Sequence, residues 1–195
     1  MQSFISQTID TILKTTTSFQ DVVFILPSQR AKVFAKQILK EKITVGFLPE
    51  ILNIEQFINQ ISGIEKADNI QLLFHFYTIY KDIEKEPVSF DVFASWAFTV
   101  LQDFNEIDQH LIAAKDIFIY LRDIQRLKKW SVKGEFKETE LMKDHYSFLE
   151  KLNAFYTALY QYLNEKNIGY QGLINRESCK KIDAFFQQHA HKKFL

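Results

Sequence analysis

Apolar residues recur three and four positions apart along most of the chain, and this spacing predicts a succession of helices. Residues 3–16 follow the spacing and predict an amphipathic helix with Ser3 as its N-cap. Residues 21–26 are apolar and rich in β-branched side chains, which predicts a short buried strand. Ser28 is then placed to cap a helix that continues to about Lys42.

The segment 43–53, ITVGFLPEILN, predicts strand-like pieces that are interrupted by Gly46 and Pro49. Asn53 is predicted to cap a short helix over residues 54–62. The first sixty residues therefore predict a small α/β segment.

The pattern is purely helical from Lys66 onward, and Asp68 and Gln71 have the spacing of a capping box. The first helix of this block is predicted to bury one stripe: Ile70, Leu73, Phe74, Tyr77 and Tyr80. The second is predicted to bury Phe90, Phe93, Trp96, Ala97, Val100, Leu101 and Phe104. A third is defined by Ile117, Tyr120, Leu121, Ile124 and Leu127.

A polar link, residues 131–138, precedes a long helix that begins at Thr139. Its apolar positions keep a heptad spacing: Met142, Leu149, Tyr156 and Leu163, interleaved with His145, Leu152 and Leu159. Asn167 and Gly169 are predicted to end this helix as a C-cap, and a last helix covers roughly 171–189.

Composition narrows the class of protein. Of 195 residues, 47% are hydrophobic, enough for a packed core, while 24 basic and 24 acidic residues leave no net charge. A strongly basic nucleic-acid surface over the whole chain is therefore excluded, although local patches are not. The single Cys179 excludes an intramolecular disulfide and a Cys-rich zinc site. No apolar run approaches the roughly 20 residues that span a bilayer, so we expect a soluble cytoplasmic protein with no membrane partner.

The stretch VVFILPSQRAKVF, residues 22–34, has the strand–turn–helix order of nucleotide-binding domains, but the turn has no glycine and no Walker lysine. ATP binding by this chain is therefore not expected, and no cofactor is predicted. The helix N-terminus at Ser28 presents free N–H groups to a phosphate, and Arg30 adds a charge in the first turn. In the simpler interpretation Ser28 is only an N-cap and Arg30 a solvated side chain.

Two other groups of charged residues are candidates for chemistry. The carboxylates of Asp103, Glu106 and Asp108 lie close enough in sequence to hold Mg²⁺ or to perform acid–base work, but nothing nearby completes a site, which favours a structural role. Basic residues at helical spacing suit a nucleic-acid backbone or simply a solvated helix face. They form two stripes: Lys32, Lys36 and Lys40; and Arg122, Arg126, Lys129 and Lys133. The histidines are dispersed and Cys179 lacks a catalytic partner, so no enzyme is predicted.

The order of five segments resembles the N-terminal region of AddB-like proteins, and more narrowly the PD-(D/E)XK nuclease family proteins of Bacteroidota, whose front half is an inactivated superfamily I helicase. The segments are VVFILPSQRAKVFAKQIL, FLPEILNIEQFI, FDVFASWAFTVLQDFNEIDQHL, IFIYLRDIQRL and NIGYQGLINRES. The similarity covers nearly the whole chain; each motif is loose, and the order and spacing carry the resemblance.

The resemblance implies a fold: predominantly helical α/β, with a partial helicase-type parallel sheet (1A-like) and a large all-α insertion (1B-like). Residues 1–62 would be the 1A-like segment and 63–190 the 1B-like subdomain. Residues 191–195 would begin a truncated core strand, so we expect this chain to be the N-terminal piece of a longer protein whose nuclease domain follows.

The resemblance also implies a function. LPSQRA matches helicase motif Ia, which contacts the DNA backbone, so Pro27, Ser28, Gln29 and Arg30 are the matching positions. Helix 3–16 stands where active helicases carry Walker A, which puts motor activity in doubt. We therefore expect a non-catalytic region that contacts DNA in double-strand break processing, with an AddA-like helicase subunit as a possible partner. Weaker DNA-binding candidates are Arg122, Arg126 and Lys129. The alternative is a helical protein–protein interaction scaffold that binds no DNA.

Overall fold

The computed structural model describes residues 4–15, 19–43, 46, 48–121 and 140–195. These residues form a predominantly helical α/β structure with a small parallel sheet. The chain divides into two compact units. The first unit comprises residues 1–62 and 178–195, and the second comprises residues 63–177.

The described helices and strands follow one another along the chain. The first part contains α1 (Phe4–Thr15), β1 (Val22–Leu26), α2 (Gln29–Lys42), β2 (Glu50–Asn53) and α3 (Ile54–Ser62). The middle contains β3 (Glu65–Lys66), α4 (Asn69–Ile83), α5 (Phe90–Gln109) and α6, whose described part is 114–121. The last part contains α7 (Glu140–Glu165), β4 (Ile168–Gly169), α8 (Gln171–Gln188) and β5 (Lys193–Phe194).

The sheet of the first unit has the order β2-β1-β5, and its described strand pairs are parallel. Val23 pairs with Glu50 and Leu26 pairs with Asn53, while Val22 pairs with Lys193 on the other side of β1. The central strand VVFIL is apolar throughout, as expected for a parallel strand that is covered on both faces. The predicted strand at 21–26 is therefore present, and it is the centre of the sheet.

Alternate residues of β1 enter two cores because successive side chains of a strand point to opposite faces. Val22 and Phe24 pack with α1 and α2 residues, among them Ile9 and Leu39. Val23 faces the other way and packs in the core that contains Phe57 of α3. The small sheet is thus covered by helices on both faces.

The second half of α8 belongs to the first unit, whereas the sequence-based division grouped residues up to 190 with the helical block. Phe185 contacts the ring of Phe57 at 5.8 Å and that of Phe194 at 6.0 Å. The ammonium group of Lys181 donates a hydrogen bond to the carbonyl oxygen of Ser62 at 2.5 Å. The contacts with Phe57 and Ser62 join residues more than a hundred positions apart, so periodicity along the helix could not reveal them.

The second unit is built around buried aromatic rings. Phe76 of α4 lies 5.2 Å from Phe93 and 6.0 Å from Phe104, both on α5, and 6.0 Å from Phe155 on α7. All four rings are at most 1% exposed. The predicted stripe of α5 is largely confirmed, since its members Phe93, Ala97, Val100, Leu101 and Phe104 are buried.

The predicted stripe of α4 is confirmed only in part: Tyr80 is buried, and Leu73 and Tyr77 are half-buried against the core. Ile70 and Phe74 are 68% and 55% exposed. The buried residues are Leu72, Phe76, Ile79 and Tyr80, of which only Tyr80 was predicted. The sequence of α4 is apolar almost all the way round, so its spacing fits two faces equally well, and packing against α5 and α7 selects one of them.

Two further helix predictions need correction. On α6, Tyr120 is 66% exposed and Phe118 is buried instead, while Ile124 and Leu127 lie outside the described residues. On α7, Leu152, Leu159 and Leu163 are buried as predicted, but Phe155 beside them was missed. The side chains of Met142, His145 and Leu149 lie outside the described part, as does the polar link 131–138.

The local capping predictions are confirmed at several helix ends. Asp68 and Gln71 form a reciprocal capping box at the start of α4. Asn167 follows α7 with a φ of 52°, the left-handed conformation of a C-cap. Gly169 has another role: it lies in β4, where an added Cβ would be 2.6 Å from Leu173 Cδ2. Its lack of a side chain therefore serves close packing.

Candidate nucleic-acid interface

The carboxyl ends of β1 and β2 each lead directly into the N-terminus of a helix. Leu26 and Asn53 are register partners, so the two strands end side by side. Pro27 and Ser28 connect β1 to α2, and Asn53 is followed at once by α3. The parallel arrangement therefore brings two helix N-termini to one edge of the sheet.

Ser28 closes the first turn of α2. Its φ of −150° and ψ of 159° are extended, and its hydroxyl accepts a hydrogen bond from Ala31 N at 3.2 Å. Its carbonyl accepts one from Lys32 N at 3.1 Å. The predicted N-cap is thus confirmed, and the backbone N–H groups of Gln29 and Arg30 have no acceptor within the helix or among the other described residues.

Asn53 forms a reciprocal pair with Gln56 at the start of α3. Gln56 N donates to Asn53 Oδ1 at 2.7 Å, and Asn53 N donates to Gln56 Oε1 at 3.2 Å. The two helix starts are also joined by side chains. Asn53 Nδ2 donates to Gln29 Oε1 at 3.2 Å, and Lys32 Nζ donates to Gln56 Oε1 at 2.8 Å. The Gln29 side chain is therefore held by Asn53.

Arg30 is exposed in the first turn of α2 and has no hydrogen-bond or ion-pair partner among the residues that the structure describes. Lys36 and Lys40 are exposed farther along the same helix. Lys32 is occupied by Gln56, and Lys42 pairs with Asp10. Since α2 contains five basic residues and one acidic residue, its accessible face is positively charged.

The charge at the edge is not uniformly positive. Glu55 lies exposed in the first turn of α3, where a carboxylate stabilises the helix dipole but repels an approaching phosphate. Glu50 lies at the opposite end of β2. Its hydrogen bond from Lys192, 3.0 Å long, is the main reason that its pKa is lowered, and burial opposes the shift. Glu55 is therefore the acidic residue that weakens the anion-binding potential of this edge.

The end of β1 is also a topological switch point, where successive connections lead to opposite sides of the strand. The connection through α2 leads to β2 on one side of β1, and the later connection returns to β5 on the other side. Open parallel sheets bind ligands outside the carboxyl ends of the strands at such points. Ser28, Gln29 and Arg30 follow this end of β1, so the fold places the sequence-predicted residues where such sheets bind ligands.

The second predicted group, Arg122, Arg126 and Lys129, lies outside the described residues. These residues stay predictions from the sequence.

The carboxylates of the segment 103–108 do not converge. Asp103 and Glu106 are exposed and line a cleft of about 270 Å³, where burial, followed by the charge of Glu106, raises the pKa of Asp103. Asp108 is fully buried elsewhere. No group of three metal-ligating side chains occurs within the described ranges.

Asp108 is the centre of a buried polar network. It accepts hydrogen bonds from the phenols of Tyr156 and Tyr170, the latter at 2.6 Å. Arg176 Nε lies 2.7 Å from Asp108 Oδ1, and its N–H direction makes the contact an ion pair rather than a linear hydrogen bond. Arg176 also donates to the carbonyl oxygens of Ile107 and Ile112, at 3.0 and 2.5 Å.

Burial is the main cause that raises the pKa of Tyr156 and of Tyr170, and the Asp108 carboxylate raises both further. Both phenols therefore remain protonated donors and are unsuited to act as bases. This arrangement gives Asp108 a structural role. A structural role is also what the sequence predicted for these carboxylates, and the described partner of Asp108 is Arg176 of α8.

Sequence reasoning missed the contribution of α3 to the sheet edge. The spacing of Asn53 and Gln56 is that of a capping box, and both follow a strand, as Ser28 does. Two such caps, each directly after a predicted strand, could therefore have predicted from the sequence that two helix N-termini lie at one edge of the sheet. The links from Gln29 to Asn53 and from Lys32 to Gln56 have no local signal, because they depend on strand register.

The comparisons with protein-family models, with curated proteins and with solved structures found no match for this chain. None of the helices described is long and apolar enough to span a bilayer.

Proposed function

We propose that this chain is a non-catalytic, DNA-contacting region similar to the N-terminal part of AddB-like helicase–nuclease subunits. In this proposal the first unit is the 1A-like segment and the helical unit is the 1B-like insertion. Ser28, Gln29 and Arg30 receive a backbone phosphate in double-strand break processing, and an AddA-like helicase subunit is the expected partner.

The position of Arg30 supports the proposal most directly. Its guanidinium is exposed beside the free N–H groups of the first turn of α2, at the end of the central parallel strand. Backbone N–H donors, the helix dipole and a guanidinium together favour a phosphate oxygen. None of these groups reads base identity, so the expected binding is independent of sequence.

Fluorescence anisotropy with a labelled single-stranded or forked DNA, across a salt series, tests this proposal. Arg30→Ala should weaken binding about tenfold at low salt, and the slope of log K against log salt should fall by about 0.7 for a single strand. Lys40→Ala is the matched control, because Lys40 is an exposed cation at the other end of the same helix.

The control should change affinity less than Arg30→Ala does. Equal losses in both variants would indicate a diffuse attraction to α2 and would contradict a phosphate site at its N-terminus. Unchanged affinity in Arg30→Ala would exclude the proposed motif Ia role.

A helical protein–protein scaffold without DNA binding is the second candidate. The observation that favours it is the exposure of large apolar side chains on the second unit, where Ile70, Phe74 and Phe98 are 68%, 55% and 41% exposed. Exposed apolar side chains mark an interaction site where they form one continuous patch. Absence of salt-sensitive DNA binding in the experiment above would favour this candidate.

A further inference from the structure

A cleft of about 270 Å³ lies within the second unit, between the start of α4, the middle of α5 and the start of α8. Its apolar part includes Leu72 and Leu101, which are 3% and 7% exposed, and Phe98, which is 41% exposed. The volume is just below the usual range of small-molecule pockets and is sufficient for one bulky side chain.

Carboxamides line the polar part of the same cleft. Asn69 and Gln102 are exposed, and their side-chain carboxamides make no hydrogen bond to another residue among those described. Asn105 uses its oxygen to accept from Gly172 N at 2.8 Å, and Gln171 uses its nitrogen to donate to Asn175 Oδ1 at 3.0 Å. Each carboxamide therefore retains a donor, an acceptor or both.

This combination suits a segment of polypeptide. A carboxamide offers one donor group and one acceptor, which are the complements of a peptide C=O and N–H. An extended segment can thus be held by its main chain at the rim while one apolar side chain enters the cleft.

The charge of the cleft indicates what lies next to that side chain. Lys66 is the one charged residue among those that line the cleft in the described structure, and its side chain is exposed. A carboxylate on the incoming segment would complement it, whereas a cation would be repelled.

A nucleic-acid strand fits the cleft less well. Base stacking needs exposed aromatic faces, but of the two aromatic residues here only Phe98 is exposed, since Tyr170 is 6% exposed and bound to Asp108. A strand also carries a phosphate at every nucleotide, and the cleft offers only one cation.

From these features we propose that the cleft of the second unit is a docking site for a protein segment with a bulky apolar side chain next to a carboxylate. Phe98 of α5 is the exposed apolar residue at the cleft that such a side chain would contact. The proposal is independent of DNA binding by the first unit.

Selection of random dodecapeptides displayed on phage against the immobilised full chain tests it. The enriched peptides should share a bulky apolar residue flanked by Asp or Glu. Synthetic labelled copies should bind the chain in solution, with fluorescence anisotropy as the readout. Phe98→Ala should weaken this binding about tenfold, the effect of losing one anchoring contact. Phe98 is exposed, so Phe98→Ala should leave the fold intact, and the same holds for substitutions of the exposed Lys66.

Matched controls separate the cleft from the general surface. Val92→Ala removes an apolar group that is 53% exposed on α5, outside the cleft, and should leave peptide affinity unchanged. Lys66→Glu should weaken binding several-fold, and peptides with Lys in place of their acidic residues should regain it. Lys81→Glu reverses an exposed charge on α4, away from the cleft, and should show no such exchange of preference.

Three outcomes would overturn the proposal. Selection could enrich no common sequence, or the enriched peptides could bind Phe98→Ala as tightly as the wild type. In the third outcome, an oligothymidylate would displace the labelled peptides, and its own affinity would be lower for Phe98→Ala than for the wild type. That result would make the cleft a nucleic-acid site. The expected outcome is displacement by unlabelled peptide alone.

Discussion

Removing the cation of the buried ion pair between Asp108 and Arg176 should destabilise the second unit by several kilocalories per mole, and Arg176→Met tests this value. Asp108 is fully buried, and the Arg176 side chain is 16% exposed. Methionine keeps most of the aliphatic volume of arginine but removes the charge and its donors, so the carboxylate of Asp108 is left buried without a cation.

Removing one partner of a buried ion pair costs about 3–5 kcal/mol, because the other charge remains unpaired in the interior. The phenols of Tyr156 and Tyr170 still donate to Asp108, which places the expected loss near the lower end of that range. The substitution also removes the hydrogen bonds that Arg176 donates to two carbonyl oxygens, and each lost hydrogen bond adds about 1 kcal/mol to the destabilisation. We therefore expect Arg176→Met to lower the free energy of unfolding by about 5 kcal/mol.

Urea unfolding followed by circular dichroism measures the loss, and hydrogen exchange within residues 63–177 assigns it to the second unit. Lys151→Met is the matched control. It removes the Lys151–Glu84 ion pair, whose lysine side chain is 41% exposed, so its loss should stay below about 1 kcal/mol. Asp108→Asn removes the buried charge itself and should cost about 2 kcal/mol.

Combining Asp108→Asn with Arg176→Met should cost little more than Arg176→Met alone, because the unpaired charge is then absent. Two results would refute this reasoning. One is a loss in Arg176→Met no larger than that in Lys151→Met. The other is strict additivity in the double variant, which would mean that the two side chains act independently.

Three further predictions follow from other contacts. Gly172→Ala should lower the free energy of unfolding by about 1–3 kcal/mol, measured in urea, because its Cβ would lie 2.1 Å from the Asn105 carbonyl oxygen; wild-type stability would contradict that close approach. Glu55→Gln removes a carboxylate that repels phosphate, so it should strengthen the proposed DNA binding two- to threefold, which corresponds to about 0.5 kcal/mol. Anisotropy at low salt measures this change, and an unchanged affinity would place the DNA away from α3. The lowered pKa of Glu50 stabilises the fold above the ordinary carboxyl range, and this contribution is lost as the pH falls through the lowered value. Acid titration of Glu50→Gln should therefore show a smaller loss of stability with falling pH, and an unaltered titration would contradict a role for Lys192.

The sequence by itself determined the features whose physical cause lies within a few residues. Ser28 and Asp68 cap their helices as predicted, because each cap bond closes within one turn. The apolar run 22–26 is a buried strand, and α5 buries the stripe that its spacing predicts, because its other face is polar enough to fix the phase. Part of the candidate site could be predicted from the sequence in the same way, since Ser28 and Arg30 belong to the first turn of one helix.

Only the tertiary structure decided which features meet across long separations in sequence. The spacing of α4 fitted two faces, and the contacts with α5 and α7 chose the one that leaves Phe74 exposed. The pairing of β1 with β5 and the bond from Asn53 to Gln29 depend on strand register. Asp108 finds Arg176 on a helix that lies far along the chain. Local patterns specify an element and its polar and apolar sides, but they carry no information on which distant side chain completes a contact, because that choice depends on how the elements pack together.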